Sequence, residues 1–518
     1  MTIQAHNPLT KLDYPDVDVI RVDDTYYMVS TTMYFMPGCE ILRSYDLANW
    51  EHAAYVYDTL DGTERQRLCG EQNIYGCGMW AASLRYHKGT FYVAFVANDT
   101  HKTYLFTSDS VEGPWKKRYI EGFYHDCSLF FNDDDRVYIV YGGRQIRITE
   151  LKPDLSGPLE GGLDRIAVVD PWKHNLGYEG SHFYKINGKY YLFLIHSLED
   201  RWMRTEACYA ADSLDGEFTG GDVLEDDMGY CGQGVAQGGI VDTPDGKWYA
   251  VLFQDSGAVG RIPVLVPVTW KDNYPVFGAD GKVPHRIPVE STRPGHAYEP
   301  LVGSDDFRTA SDDGRLYGSF GFRSAWQFNH EPDLSLVHHD REAGIVRITT
   351  DKLCGDVTQA RNTLTQRMIY PGCTGEVTVD VSRLNEGDFA GLCALQSAFG
   401  LIAVTKRDGE TFLVMQHAEF DRANVRTVTE EEAVPVTGDT FRLRVTAEFT
   451  EMKDEVRFAY NDGTEWKPLG PVHKMKYRLD HFTGYRFALF VYSTAETGGS
   501  AAFSDFIYTK KEEKEQTV

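Results

Sequence analysis

The sequence predicts an all-β protein, a five-bladed β-propeller followed by a concanavalin-like β-sandwich. Three observations predict the two β-domains: five repeated strand pairs in roughly the first 280 residues, no long amphipathic helical pattern among them, and short alternating strands after a Pro- and Gly-rich segment. A chain of 518 residues is also too long for one compact core, so two domains are expected.

Five hairpin repeats organise the first domain. Each joins an apolar run to an aromatic-rich run, as in DVDVIRVDDTYYMVSTT, AASLRYHKGTFYVAFVA, DCSLFFNDDDRVYIVYGG, GSHFYKINGKYYLFLIHS and GGIVDTPDGKWYAVLFQD. The turns DD, KG, NDDD, NG and DG have the chemistry that hairpins require. A further strand-like unit follows each repeat, which makes roughly four strands per blade. Two sandwich domains are the alternative, but ten paired half-repeats fit them poorly.

The entrances of the five blades carry polar and aromatic residues. The innermost strand of each blade runs along a central channel, so the five strand starts meet at one rim. The residues at these starts are Asp16, Trp80, Asp126, Glu179 and Gln237. Such a set suits glycoside hydrolysis, in which one carboxyl protonates the leaving oxygen while another activates water or attacks directly. A third carboxylate raises the pKa of the acid by repulsion.

The motifs also resemble those of a known family. The stretches are LDYPDVDVI, GMWAASLRYHKGTFYV, HDCSLFFNDDDRVYIVYG, GYEGSHFYKINGKYYLF, and QGGIVDTPDGKWYAVLFQD followed by GRIPVLVPVTW. In this order and spacing, over about residues 7 to 290, they closely resemble glycoside hydrolase family 43. The resemblance implies a five-bladed propeller that hydrolyses arabinose- and xylose-containing glycans with inversion of configuration.

The resemblance implies a role for each matching residue. Asp16 matches the general base that activates water, and Glu179 matches the general acid. Asp126 matches the aspartate that tunes the pKa of the acid and orients it. Substrate-binding positions implied in the same way are Trp80, Phe35, Arg261 and His182.

Two positions depart from the family pattern. Ser181 replaces the proline of the usual EGPH motif, and we expect the loop to keep its shape. Gln237 stands where many members have a His near a calcium ion at the channel centre. A Gln oxygen suits Ca²⁺, which prefers oxygen ligands. It could equally bind ordered water, or the site could be empty. One Ca²⁺ in the central channel, at Gln237, is therefore an open hypothesis.

The second domain has a different pattern. We predict a propeller over residues 1–295, a β-sandwich over 296–510 and a disordered charged tail over 511–518. The stretch WQFNHEPDLSL resembles the concanavalin-like sandwich attached to many family 43 enzymes. Such a domain could bind carbohydrate, buttress the propeller, or lend a loop to the active-site rim. We favour a buttress with a rim loop.

Composition narrows the possible partners and location. The net charge of −25 argues against nucleic acid and anionic membranes, which attract Lys and Arg clusters, and is compatible with a neutral sugar. The chain shows neither a signal-peptide pattern nor an apolar run of ~18 residues. Nine scattered cysteines suggest reduced thiols. We therefore expect a cytoplasmic protein.

The functional hypothesis is an exo-acting, inverting hydrolase that releases terminal α-L-arabinofuranose from arabinoxylan-derived oligosaccharides. Its partner would be a neutral pentose-containing oligosaccharide. A β-D-xylosidase, or an enzyme with both activities, is the first alternative, and a non-catalytic carbohydrate-binding propeller is the second. Family 32-type fructosidases are disfavoured, because their NDPNG and RDP signatures are absent. Linkage preference and oligomeric state stay open.

Overall fold

The computed structural model describes residues 1–170, 175–308 and 319–512. Its first part consists of β-strands with one short 3₁₀ turn, η1 (Gly257–Val259). The strands are β1 (Thr2–His6), β2 (Asp18–Val22), β3 (Thr25–Ser30), β4 (Phe35–Met36), β5 (Gly38–Ser44), β6 (Glu51–Tyr57), β7 (Met79–His87), β8 (Thr90–Ala97), β9 (Lys102–Ser108), β10 (Lys116–Ile120), β11 (Ser128–Phe131), β12 (Val137–Tyr141), β13 (Gln145–Leu151), β14 (Asp164–Val169), β15 (Glu179–Ile186), β16 (Lys189–Ser197), β17 (Arg204–Ala211), β18 (Thr219–Leu224), β19 (Val235–Asp242), β20 (Trp248–Asp255), β21 (Arg261–Lys271), β22 (Tyr274–Phe277) and β23 (Arg286–Glu290).

Five four-stranded antiparallel sheets form the blades. Their strand orders are β2-β3-β5-β6, β7-β8-β9-β10, β11-β12-β13-β14, β15-β16-β17-β18 and β19-β20-β21-β22. The first strands are neighbours in a ring, from β2 through β7, β11, β15 and β19 back to β2. The first strand of each blade therefore lines the central channel, and the predicted five-bladed propeller is confirmed.

Local sequence explains the hairpins of the blades. Between β15 and β16, Asn187 and Gly188 have φ values of 51° and 84°. A two-residue turn that matches the strand twist needs positive φ at both positions, which Asn and Gly tolerate best. β16 itself, KYYLFLIHS, is buried almost throughout because both faces of an inner blade strand are covered. The Asn-Gly turn and the apolar run of β16 therefore both predict the β15–β16 hairpin that is observed.

The second part is a two-sheet sandwich with four short 3₁₀ turns, η2 (Ser319–Gly321), η3 (Leu334–Leu336), η4 (Val357–Gln359) and η5 (Thr450–Met452). Its strands are β24 (Gln327–Asn329), β25 (Val337–Asp340), β26 (Ile345–Thr349), β27 (Leu364–Arg367), β28 (Gly372–Arg383), β29 (Asp388–Leu395), β30 (Gly400–Arg407), β31 (Glu410–Phe420), β32 (Arg426–Val436), β33 (Thr440–Glu448), β34 (Glu455–Asn461), β35 (Trp466–Pro468), β36 (His473–Lys474), β37 (Arg486–Ser493) and β38 (Ser500–Lys510). The predicted sandwich is confirmed.

One propeller strand extends the sandwich. The two sheets run β32-β31-β30-β29-β37-β27-β24-β4 and β25-β26-β38-β28-β33-β34-β35, with β36 paired to β34. β4 lies in the first blade's chain segment but pairs with β24, with Phe35 opposite Asn329 and Met36 opposite Phe328. Because a strand of one domain completes a sheet of the other, the two domains form a continuous structure.

Apolar burial and an ion pair reinforce this junction. One hydrophobic cluster includes Tyr14 and Val259 of the propeller together with Leu392 and Tyr485 of the sandwich. Arg367 of the sandwich donates to the Glu40 carboxylate of the propeller at 2.7 Å, with both side chains buried. A buried ion pair of this kind is costly to break, because one partner would be left as an uncompensated charge.

β23 lies within the Pro- and Gly-rich segment that follows the propeller repeats and pairs with β1, from Thr2–Glu290 to His6–Arg286. The predicted boundary between residues 295 and 296 stays a prediction. Residues 513–518 of the predicted tail lie outside the described residues. Helix in the described residues is limited to the five three-residue turns, none of which could span a membrane.

Candidate active site

The five blade entrances share a left-handed backbone residue. Positive φ occurs at Asp16 (53°), Ala81 (34°), Asp126 (48°), Gly180 (65°) and Gln237 (57°). In blades two, four and five the pairing register of the innermost strand shifts at this point. Such bulges bend a strand and re-aim its side chains. The local backbone therefore breaks strand regularity where the predicted site residues lie.

Asp126 is anchored by the backbone of the neighbouring blade. Its side chain is buried, and Oδ2 accepts the Gly180 N–H at 3.1 Å. The Ser181 N–H donates to the Asp126 carbonyl at 3.3 Å. A proline at 181 would have no N–H for this bond, so the departure from the family pattern adds a contact.

Asp126 has a carboxyl group with strongly altered acidity. Burial is the largest influence and raises its pKa. The His125 cation lowers the pKa of Asp126, while the negative charges of Glu179 and Asp16 raise it, and the resulting pKa is about 7. This electrostatic coupling shows that the three predicted catalytic carboxylates lie close together.

His125 lies between two of these carboxylates. Its Nδ1 is 3.6 Å from Asp126 Oδ1, and its Nε2 is 3.9 Å from Glu179 Oε2. The Asp126 charge is the main cause that raises the pKa of His125 to about 9, so the ring is cationic at neutral pH. The sequence motifs did not single out His125, although it directly precedes Asp126 in HDCS.

Exposure distinguishes the two carboxyl groups beside His125. The Glu179 side chain is 29% exposed, whereas that of Asp126 is 7% exposed. Glu179 is therefore the member of the pair that faces the cleft and can reach a bound molecule.

Asp16 is held by an arginine that sequence analysis placed at the site. Arg261 Nη1 donates to Asp16 Oδ1 at 2.7 Å, and its Nε lies 3.4 Å from Asp255 Oδ1. Its backbone N–H donates to Asp13 at 2.8 Å. Arg261 is buried, so it is not an ordinary surface residue of its strand. Its contact with a sugar stays a prediction.

An aromatic wall closes one side of the rim. Trp80 packs against Phe482, with ring centroids 5.3 Å apart, and lies 6.2 Å from the ring of His125. Phe482 also lies beneath the Arg261 guanidinium at 4.4 Å. This phenylalanine belongs to the sandwich, so the second domain lends a residue to the rim. We missed Phe482 because no motif marks an aromatic residue in a distant loop.

Phe35 supports this wall from behind. Its side chain is only 2% exposed, and the Arg486 guanidinium lies 3.4 Å from its ring centroid. It belongs to a small apolar cluster against which Trp80 and Phe482 pack. The structure thus brings Phe35 to the site as a packing residue, and its contact with sugar stays a prediction.

Beneath the rim, a charged layer fills the channel. Asp18 is fully buried and accepts from Arg85 Nη1 at 2.5 Å, and its other oxygen lies 3.2 Å from His182 Nδ1. Burial alone would raise the pKa of Asp18, but Arg85 and His182 lower it to about 2. His182 therefore contacts the buried Asp18 carboxylate, and its predicted role in substrate binding stays a prediction.

The contacts of Gln237 do not favour calcium. A side chain at Gly180 would meet the Gln237 carboxamide, with Cβ 2.8 Å from its carbon, so the amide lies at the rim. The Gln237 N–H donates to Glu206 at 2.7 Å, and burial raises the pKa of Glu206 well above its usual value. Asp18, the ionised carboxylate of the channel, already binds Arg85. Ca²⁺ takes six to eight oxygens, waters included, and these side chains would supply few of them, so a Ca²⁺ ion at Gln237 stays a prediction.

The carboxylates at the rim suit the chemistry of a glycosidase, and known proteins similar to this chain have that activity. The family model "Glycosyl hydrolases family 43" matches residues 5–275, which is more than half of the chain. A second, "Beta xylosidase C-terminal Concanavalin A-like domain", matches residues 321–509. The chain therefore belongs to glycoside hydrolase family 43 and is a glycosidase. The predicted family and the concanavalin-like type of the sandwich are confirmed.

Individual relatives extend over both domains. A beta-xylosidase of Formosa agariphila is 26% identical over 97% of this chain and 90% of its own. A structure titled bifunctional GH43-CE, from Bacteroides eggerthii, is 41% identical with a TM-score of 0.90; the match covers 99% of this chain and 64% of that one. An engineered GH43 enzyme described as having endo-xylanase and exo-arabinofuranosidase activity is 28% identical, with a TM-score of 0.85 and coverage of 98% and 100%.

Proposed function

We propose that this glycosidase is exo-acting and inverting, and that it releases terminal α-L-arabinofuranose from arabinoxylan-derived oligosaccharides. The observation that carries the proposal is the placement of Glu179 beside buried Asp126, with Asp16 close enough for its charge to raise the pKa of Asp126. Three carboxylates at one rim supply the acid, the base and the tuning group that glycoside hydrolysis needs.

In the proposed reaction, Glu179 donates its proton to the oxygen that leaves with the remaining oligosaccharide. At the same time, Asp16 accepts a proton from water, whose oxygen attacks the anomeric carbon from the opposite face. One bond to the anomeric carbon forms as the other breaks, so configuration is inverted. Arg261 holds the Asp16 carboxylate in position through its 2.7 Å hydrogen bond.

Asp126 and His125 lie beside this acid. Asp126 is the proposed tuning and orienting group: burial and the charges of Glu179 and Asp16 raise its pKa, the His125 cation lowers it, and the resulting pKa is about 7. His125 thus offsets part of the repulsion that acts on Asp126. Glu179, the more exposed carboxyl of the two, is the proposed proton donor.

The shape of the site supports exo action on a neutral pentose. Beneath the rim, buried Asp18 binds Arg85 and lies beside His182, so this part of the channel is occupied by protein charges. The wall of Trp80 and Phe482 offers apolar ring faces, which suit the faces of an uncharged sugar. We expect a terminal residue to bind at this wall and the rest of the oligosaccharide to stay outside.

Arabinofuranose is the proposed sugar because the sequence motifs favour it and because an engineered relative of 28% identity is described as displaying exo-arabinofuranosidase activity, together with endo-xylanase activity. β-D-xylosidase activity is the second candidate, since the Formosa agariphila relative is named a beta-xylosidase. Both sugars are neutral pentoses and both would use the same three carboxylates. The proposed cytoplasmic location, where the substrates would be imported oligosaccharides, is tested by cell fractionation.

A side-by-side rate assay on chromogenic α-L-arabinofuranoside and β-D-xylopyranoside tests the sugar. We expect faster arabinofuranoside cleavage, and a much higher rate on the xyloside would favour the second candidate.

Glu179→Gln should lower kcat by roughly 10²–10⁴-fold. The control Glu199→Gln, at an exposed residue of the same blade, should not. Proton NMR of the first-formed sugar should show the inverted anomer, and initial retention would contradict the single displacement. Turnover of neither sugar would reopen the non-catalytic alternative.

A further inference from the structure

A second cluster of potential ligands lies in the sandwich, outside the catalytic rim. His417, Glu419 and His473 each offer one nitrogen or oxygen atom, and these atoms all lie within 4.8 Å of one another. His417 and Glu419 are on β31 of one sheet, and His473 is on β36 beside the other sheet. The cluster therefore bridges the two sheets of the sandwich.

The two histidines present unused nitrogen atoms. His473 Nε2 lies 2.8 Å from the Ala398 carbonyl, an acceptor, so this nitrogen carries the proton and Nδ1 keeps its lone pair. That Nδ1, like Nδ1 of His417, is buried with no hydrogen-bond partner among the described residues. His473 is 2% exposed and His417 is 7% exposed. Buried polar atoms without partners are costly, so a ligand at these nitrogens would be favourable.

The hydrogen bonding of His473 resembles that of a metal-binding histidine. A metal-binding histidine usually donates its other N–H to a carbonyl or carboxylate, which fixes the tautomer. His473 does so through Ala398. The rings of His417 and His473 are stacked, with centroids 4.9 Å apart and planes 20° apart.

Carboxylates complete the site on its outer side. His417 Nε2 lies 3.9 Å from Glu419 and 3.6 Å from Glu431, too far for a hydrogen bond. The Glu419 side chain is 62% exposed, so it can rotate to close the remaining distance, and an ion can enter from its side. Two imidazoles with one or two carboxylates are a ligand set that Zn²⁺ accepts.

We propose that His417, His473 and Glu419 bind one divalent transition-metal ion, best represented by Zn²⁺, with Glu431 as an additional ligand or outer partner. The ion would link the two sheets of the sandwich and stabilise the fold. Because a ligand that binds only the folded state raises its stability, binding should raise the unfolding temperature. This site is independent of the proposed sugar hydrolysis.

Titration of the chelator-treated full chain with Zn²⁺ and with Co²⁺ tests the proposal. We expect one saturable equivalent, a higher unfolding temperature, and visible absorption bands from bound Co²⁺. His473→Gln and Glu419→Gln should each weaken binding by about tenfold or more. Glu410→Gln, at an exposed residue of the same strand, is the matched control. Glu179→Gln should also bind normally, which separates this site from the catalytic carboxylates.

Three results would overturn the proposal. These are no saturable binding by the full chain, binding that survives Glu419→Gln and His473→Gln unchanged, and binding that disappears in Glu179→Gln. If His473→Gln does not fold, Glu419→Gln decides, because that side chain is exposed and its loss leaves the core intact.

Discussion

His125 influences the ionisation of Asp126 at the scale of a single residue. Its cation lies 3.6 Å from Asp126 and 3.9 Å from Glu179, and it lowers the pKa of Asp126. With a pKa of about 9, it keeps its charge over the range in which Asp126 loses its proton, near pH 7. The ring therefore helps to set the pH at which activity declines.

His125→Asn should move the alkaline limb of the kcat/KM profile to higher pH. We expect activity to fall as Asp126 loses its proton, and without the neighbouring cation Asp126 holds that proton to a higher pH. The measurement is a rate profile from pH 5 to 9 on the preferred chromogenic substrate. His338→Asn, at an exposed histidine of the sandwich, should leave the limb in place. An unmoved or lowered limb in His125→Asn would contradict this role.

Asp18 shows how a single buried charge supports the channel. Asp18→Asn would leave Arg85 buried without its partner carboxylate, and we expect a loss of about 3–5 kcal/mol of unfolding free energy. Arg85→Met in the same chain should recover part of this loss. Denaturant unfolding of the three proteins measures both effects, and a single variant as stable as the wild type would argue against a strong ion pair.

The Asp18–Arg85 pair should make the free energy of unfolding decrease at low pH. The pKa of Asp18 is lowered from 3.8 to about 2 in the folded protein. Its contribution is therefore present above pH 3.8 and is lost as pH falls toward 2. Asp18→Asn should flatten this part of the curve of unfolding free energy against pH.

At the scale of an element, the loop that carries Phe482 links the sandwich to catalysis. Ser397 binds Asp480 at 2.6 Å, and the Gly484 N–H donates to Asp13 of the propeller at 2.8 Å. The loop is therefore held at both sides of Phe482, which fixes the ring against Trp80 and Arg261. This arrangement supports the rim-loop hypothesis for the second domain.

Phe482→Ala should lower kcat/KM by roughly tenfold, because a ring contact with aromatic and cationic neighbours contributes about 0.5–1.5 kcal/mol beyond its buried area. We expect the larger share in KM, since the ring would position the sugar rather than transfer protons. Trp466→Ala, on the edge strand β35, removes an aromatic that stacks with Arg444 and should leave kinetics unchanged. Equal effects of the two variants would indicate general destabilisation.

At the scale of the whole molecule, the propeller and the sandwich share both a sheet and a core. β4 pairs with β24, and one hydrophobic cluster spans both domains. The buried Arg367–Glu40 ion pair crosses the same junction. Separation would expose apolar surface and leave a charge unpaired, so the domains should unfold together.

We expect a single transition when the full chain is heated in a calorimeter. A chain that ends at residue 303 should be insoluble or inactive, because it lacks the partner of β4 and the Phe482 loop. Two well-resolved transitions, or a soluble fragment with wild-type kcat/KM, would show that the sandwich is dispensable.

Glu40→Gln in the full chain should lower the unfolding temperature, since Arg367 loses its buried partner.

By itself the sequence determined the five blades, the sandwich, the family and the three carboxylates at the rim, because hairpin turns, strand periodicity and repeated strand starts are local patterns. It did not reveal His125 as a cation between two acids, Phe482 at the rim, or the charged layer of Asp18 and Arg85. These depend on contacts between residues far apart in the chain and on burial, which shifts pKa values. Only the tertiary structure decided them, because distance and desolvation exist only once the chain has folded.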